Sequence, residues 1–319
     1  MSIRYGSRSR PGTMVSTWLN SLVSGTVVIK AMYFAGGYDG SDVATVNKFL
    51  AADDSRSTLG TGLSAGRYSL GGAANSGTAA YFAGGYTSGY VATVDKFAFS
   101  DDSRTTLGTG LSAARSNLAG AANSGTAAYF AGGTEPGIVA TVDKFAFSDD
   151  SRTTLGTGLS AARRSAAGAA NSGAAAYFAG GVQPAYVATV DKFAFSDDSR
   201  SSLGTGLSSA RRSAGGAANS GTAAYFAGGT TGSAVATVDK FAFSDDSRST
   251  LGTGLSAARY GIAGAADSGT AAYFAGGSEP SNVATIDKFA FSDDSRTTLG
   301  TGLSAALNSA AGAANSGTL

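Results

Sequence analysis

Any chemistry in this chain must come from carboxylates, guanidinium groups, phenols and hydroxyls, because its 319 residues include no His and no Cys. Imidazole bases, thiolate nucleophiles, disulfides and the usual zinc ligands are thereby excluded. Glutamate occurs only at Glu135 and Glu279. Aspartate occurs mostly in pairs within the string Asp-Asp-Ser-Arg, as at Asp101-Asp102. One such pair is too small a donor set for calcium, which takes about six to eight oxygens. It reads as a turn former, since Asp and Ser bond the nearby backbone. Asp95-Lys96 and its equivalents sit mid-strand, where neighbours point to opposite faces. They cannot pair within one strand, but each can pair with an adjacent unit.

Arginine recurs at Arg67, Arg115, Arg163, Arg211 and Arg259, and the sixth place holds Leu307. Arg164 and Arg212 stand beside two of them. Two roles suit this spacing. Arg115, Arg163, Arg164, Arg211 and Arg212 could ring a channel mouth and hold an anionic group, such as an acidic sugar, through forked donors. Alternatively the recurring arginines bond carbonyls of the neighbouring unit. Recurrence in five of six units favours this structural role.

What positions these groups is a repeat. The string Tyr-Phe-Ala-Gly-Gly begins at Tyr33, Tyr81, Tyr129, Tyr177, Tyr225 and Tyr273, a constant step of 48 residues. Six such units fill residues 31–319 and leave a non-repetitive leader, 1–30, that carries Arg4, Arg8, Arg10 and Trp18. In the unit beginning at Ala114, four strands are expected: about Ser116 to Ala122, Thr126 to Ala131, Val139 to Phe147 and Thr153 to Leu159. Asn123-Ser124-Gly125 and Ser148-Asp149-Asp150-Ser151-Arg152 are turn signals between them. No segment has a helical period.

Four short strands at a period near 48 residues predict an all-β fold, a six-bladed β-propeller with four antiparallel strands per blade. The Gly/Ala-rich first strand of each unit suits the crowded axis. Tyr129, Phe130, Phe145 and Phe147 supply bulk farther out. Ser304 to Thr318 supplies one more first strand, so the C-terminal strand is expected to join blade one and close the ring. A fainter echo in the leader, Ser24-Gly25-Thr26, competes for that place.

With 47 Gly, 14% charged residues and a net charge of +1, no basic surface for nucleic acid is available. No apolar run is long enough for a membrane helix.

The Gly-Gly after the second strand, the aromatic third strand, the Asp-containing turn and the Arg that opens the next unit together resemble the kelch motif. The resemblance spans all six 48-residue units but is incomplete. Kelch units usually carry Trp at the start of the fourth strand, where this chain has Leu59, Leu107, Leu155, Leu203, Leu251 and Leu299. The units are also similar to the highly repetitive propellers of phage and cyanophage tail and fibre proteins. Both resemblances imply a binding or structural scaffold.

Six internal copies can be compared with one another. They differ mainly in two segments. One is the loop between second and third strands, which carries Tyr38 and Asp39, Tyr86 and Tyr90, Glu135, Gln183 and Tyr186, and Glu279. The other opens the first strand and carries Tyr68, Arg164, Arg212 and Tyr260. In an up-and-down blade both segments lie on one face of the disc, and the uniform turns lie on the other. Differing loops on a repeated scaffold suit ligand recognition, and exposed Tyr suits sugars or protein. Neutral drift after duplication would leave the same pattern.

The function expected is therefore non-enzymatic and needs no cofactor or metal. It is a virion component, a phage tail or fibre protein, displaying a receptor- or glycan-binding face. The leader would contact other virion or surface proteins, and the location is the virion or extracellular surface. A cellular lectin-like or protein-binding propeller is the alternative. A glycan-active enzyme fits less well, because catalysis needs unlike residues brought together and these repeat identically. Glu135 and Glu279, in blades three and six, would lie too far apart for paired-carboxylate work.

Overall fold

The computed structural model describes residues 30–316, and these form six four-stranded antiparallel sheets. Blade two shows the plan. From axis to rim it runs β4 (Gly71–Asn75), β5 (Ala79–Ala83), β6 (Val94–Ala98) and β7 (Arg104–Thr106). Blade one contains β1 (Ala31–Ala35), β2 (Val46–Leu50) and β3 (Arg56–Thr58), and its inner strand is the last of the chain, β24 (Ala311–Asn315). Ala31 to Ala35 pair antiparallel with Asn315 to Ala311. The C-terminal strand thus closes the ring, as the repeat predicts. Residues 1–29, including the competing Ser24-Gly25-Thr26 and most of the leader, lie outside the described residues. Among the described residues no helix is long and apolar enough to cross a membrane.

The strands are shorter than their sequence suggests, for local reasons. In blade three the first strand, β8 (Ala119–Asn123), cannot begin at Ser116, because Asn117 adopts a left-handed φ of 57°. The third strand, β10 (Val142–Ala146), starts late because the Val139 amide turns back to bond the Gly133 carbonyl. The outer strand, β11 (Arg152–Thr154), stops before Leu159, whose side chain turns into the core.

The axis is closed by backbone. Gly72, Gly120, Gly168, Gly216, Gly264 and Gly312 each sit against the carbonyl oxygen of another glycine in the set, and a Cβ on any of them would overlap that oxygen. Two hydrogen-bonded rings bracket this contact. At one end the amides of Ser69, Asn117, Ser165, Ser213, Gly261 and Ser309 each donate to the carbonyl of the preceding member, at 2.7–2.8 Å. At the other end each amide of Ser76, Ser124, Ser172, Ser220, Ser268 and Ser316 donates to the Oγ of the next serine, at 2.9–3.2 Å. Both rings close without a gap.

The hydrophobic core lies between blades rather than within one. Tyr129 and Ala121 of blade three pack with Phe178 and Phe193 of blade four. A polar clasp lies outside this layer. Tyr81 Oη donates to Asp150 Oδ1 at 2.6 Å, and Lys96 Nζ lies 2.8 Å from Asp150 Oδ2. The same clasp joins the last blade to the first, where Tyr273 and Lys288 hold Asp54. Asp150 has a φ of 58°, a conformation that Asp tolerates better than most residues. The two carboxylates of each Asp-Asp pair therefore have separate jobs. Asp149 accepts the Ser151 amide and shapes the turn. Asp150 anchors the neighbouring blade, and Lys96 finds its partner across the blade boundary as expected.

Burial, and then the Asp102 or Asp150 carboxylate, push the Tyr33 and Tyr81 phenols well above the usual value, and the other clasp tyrosines follow. The folded state then holds six protons that the unfolded chain releases near pH 10. This contribution is complete below that pH and declines as pH rises above it. In an alkaline titration, these phenols should ionise together with loss of the β-sheet circular dichroism. Ionisation of more than the seven remaining tyrosines, read at 295 nm with the sheet intact, would contradict the clasp. The axial contact gives a second test. Gly168→Ala should cost about 3 kcal/mol or more, whereas Gly156→Ala, whose Cβ would meet open space, should stay within about 0.5 kcal/mol of wild type. Thermal and urea unfolding would separate them.

Candidate functional site

The recurring arginines do not ring a channel mouth. Arg115, Arg163 and Arg211 have 0% exposure and lie between blades. Arg115 leaves the segment that follows blade two. Its Nη1 lies 2.9 Å from Asp143 Oδ2, on β10 of blade three. Its Nη2 and Nε donate to the Phe130 and Gly132 carbonyls. Asp143 also accepts the Ser112 amide and hydroxyl and, at 2.6 Å, the Thr154 hydroxyl. Burial alone would raise the Asp143 carboxyl. Thr154, Ser112 and the Arg115 guanidinium outweigh it and hold the carboxyl below the usual range. Burial lowers Arg163 and Arg211, while Asp191 and Asp239 act in the opposite direction. These three guanidiniums have no solvent-facing edge for an anion, so the structural role is the one they fill. The side-chain bonds reach carbonyls of the unit that Arg115 opens rather than of the neighbouring unit, and also a buried carboxylate that the reading did not foresee; the preceding unit is held by the Arg115 backbone, which bonds Val91 and Gly85.

The exception at Leu307 has a partner. Leu307 is 2% exposed, and the place of the aspartate facing it is taken by Asn47 on β2. The Ser304 amide donates to Asn47 Oδ1 at 3.1 Å. Both charges are therefore absent from the boundary where β24 joins β1. Two breaks in otherwise uniform columns, 260 residues apart (307 − 47), carried this signal in the sequence.

The two variable segments of each unit lie together, as the strand alternation predicts. They are joined by isolated bridges: Tyr68 to Tyr86, Ser116 to Thr134, Arg164 to Val182, Arg212 to Thr230, Tyr260 to Ser278 and Asn308 to Tyr38. Each blade thus presents one composite patch. Two groupings form on this face. Over blades one and two, Tyr38, Tyr68, Tyr86 and Tyr90 make a chain of ring contacts with centroids 5.3–5.7 Å apart. Burial first, then the Asp42 carboxylate, raise the Tyr68 phenol. Between blades four and five, Arg164, Val182, Pro184, Ala185, Tyr186 and Arg212 line a depression of about 430 Å³. The Arg212 guanidinium lies over the Tyr186 ring, 5.7 Å from its centroid.

The remaining candidates stand apart from these groupings. Gln183 shares the Tyr186 loop but does not line the depression. Asp39 is engaged by the Ser41 amide and hydroxyl. Tyr260 and Glu279 are exposed and share the patch of blade six, where Tyr260 bridges Ser278, and Glu135 is half-buried on blade three. Two smaller cavities of about 80 Å³ follow one another along the axis, one at the Ser69 ring and the next reaching the axial glycines. Among the described residues no three carboxylates gather as a metal cage requires.

These features define a six-bladed β-propeller whose one face is individual and whose remainder is uniform. No protein-family model matches the chain, and no curated protein sequence is significantly similar to it. The fold is widely shared, since 374 solved chains match it. One of them is the structure of YjhT, at a TM-score of 0.64 and 15% identity, covering 77% of this chain and 87% of that one. At that identity the likeness is one of fold.

A double-substitution cycle tests the buried pair. Arg115→Leu or Asp143→Asn alone should each destabilise by about 3–5 kcal/mol, because one buried charge loses its partner. The double variant reproduces the Leu307 and Asn47 pair and should recover most of that loss. Additive losses in urea unfolding would mean that the pairing is not what holds this boundary.

Proposed function

We propose that this chain is a non-enzymatic binding propeller that presents its variable face to a receptor or glycan on a host surface, as a tail or fibre component of a virion. The observation that carries the binding reading is the distribution of difference. The scaffold repeats nearly residue for residue. The segments that vary are bonded in pairs into a single face, which includes the tyrosine chain and the arginine-lined depression. A rigid scaffold with individual loops is the usual construction of a recognition surface.

Absence of catalysis is part of the same proposal. Most carboxylates here bond the scaffold: they cap turns, as Asp149 does, or hold neighbouring blades, as Asp143 and Asp150 do. Acid–base or nucleophilic work needs unlike groups within hydrogen-bond reach of one reacting atom. Glu135 and Glu279 belong to different blades and neither lines the depression. The virion setting rests on the similarity of the 48-residue units to phage tail and fibre propellers, with the leader as the attachment segment.

The experiment is a glycan-array and whole-cell binding assay of the full chain. Beside it runs a variant in which all the loops between second and third strands are replaced by Thr230-Thr231-Gly232-Ser233-Ala234. Wild type should bind and the uniform-loop variant should lose binding at an unchanged melting temperature. Equal binding by both proteins, or none by wild type, would overturn recognition by the variable face.

A further inference from the structure

Charge on this molecule is almost entirely engaged. Every described lysine has an ion-pair partner. The arginines between blades hold aspartates, and Arg104 and its equivalents in blades two to six bond a carbonyl or a hydroxyl. Three described cations, Arg56, Arg164 and Arg212, have neither a hydrogen bond nor an ion pair. Arg56 lies exposed on β3, at the rim. Arg164 and Arg212 converge on one depression, and the Nε of each is shut off from water without a partner. A sheltered donor left unbonded is costly; eight other arginines also leave Nε unbonded, but each bonds through another atom of its guanidinium, whereas these two guanidiniums bond nothing, and that requires an explanation.

The cavity supplies one. Its volume of about 430 Å³ suits a monosaccharide-sized ligand. No carboxylate lines it, so nothing within it neutralises the two guanidiniums. The Arg212 guanidinium rests over the Tyr186 ring, and its N–H groups bond nothing else, so they are available to a planar acceptor. The Arg164 amide and carbonyl both bond Val182, so its backbone is held to the loop that forms one wall of the depression. Val182, Pro184 and Ala185 give that wall an apolar surface against which the carbon body of a ligand can rest. The other five blade boundaries have no such pair, since Arg appears at this position only as Arg164 and Arg212.

We infer that the depression between blades four and five is a binding subsite for an oxyanion carried on a sugar ring, a uronate carboxylate or a sulfate ester, held between Arg164 and Arg212. This rests on the variable-face reading and deepens it by naming the ligand chemistry and the place. The tyrosine chain over blades one and two would then serve uncharged portions of a ligand, not the acidic group.

The test is calorimetry on the full chain with glucuronic acid, galactose 6-sulfate, methyl glucoside and inorganic sulfate. The charged sugars should bind and methyl glucoside should not. Preference between carboxylate and sulfate identifies the source of the oxyanion. Arg164→Gln and Arg212→Gln should each weaken binding at least about tenfold, the loss expected when one charge-assisted hydrogen bond is removed. Arg56→Gln should leave it unchanged. Arg212→Lys should recover only part, because an ammonium lacks the planar fork. Melting temperatures should hold throughout, since neither side chain bonds the scaffold. Inorganic sulfate binding as tightly as the sulfated sugar would reduce the site to an adventitious ion only and overturn the inference. So would charged-sugar binding that survives in the Arg164→Gln/Arg212→Gln double variant. If that double variant keeps cell binding while the uniform-loop variant loses it, the subsite fails and the variable-face reading stands.

Discussion

Six backbones can meet on one axis only if nothing projects from them. The glycine contact at Gly72, Gly120, Gly168, Gly216, Gly264 and Gly312 is therefore the constraint to which the rest of the molecule answers. With no side chains at the centre, there is no axial core to hold the blades. They are held by two hydrogen-bonded rings just beyond the contact, and by aromatic packing and charge farther out. Each outer device is also an arrangement between neighbours. Tyr81 and Lys96 reach forward to Asp150, and Arg115 reaches forward to Asp143. A single blade lacks half of every one of these contacts, which is why the unit is stable only as a ring.

The two ion-pair layers differ in kind. The Lys96 to Asp150 clasp is partly open to water and works together with the Tyr81 phenol. The Arg115 to Asp143 pair is fully buried, and a buried pair is weak evidence of net stability because desolvation opposes attraction. Its hydrogen bonds to Ser112, Thr154 and two backbone carbonyls satisfy what burial would otherwise strand. The layer therefore fixes how one blade is set against the next more than it adds to stability, and the variable face inherits that rigidity.

Much of this was legible in the residues. The 48-residue step specifies blade number, strand number and closure, and the alternation of strand direction brings both variable segments to one face. Strand limits were not legible, because left-handed residues such as Asn117 and backbone turns such as Val139 to Gly133 cut the strands short. The placement of the arginines was misread in part for a geometric reason. A long side chain that starts beside the axis can point outward between blades, and spacing along the chain says nothing of that direction. The depression between blades four and five was half visible. Arg164, Arg212 and Tyr186 stood out as departures from their columns, but nothing in the sequence said that residues 26 positions apart (212 − 186) share one wall.

Near-identity among units carries a hazard that the chain ends resolve. A closing strand that fits any blade equally well could lodge in the wrong one, or in a second molecule, and repeat proteins are prone to such misassembly. The Leu307 and Asn47 pair removes the first of these hazards, the wrong blade. Set beside any other blade, Leu307 would leave an aspartate sealed in without its guanidinium. Set beside blade one, it meets an amide that needs none. The sixth boundary is thus an address written into the sequence, and it tells an almost featureless ring where it begins.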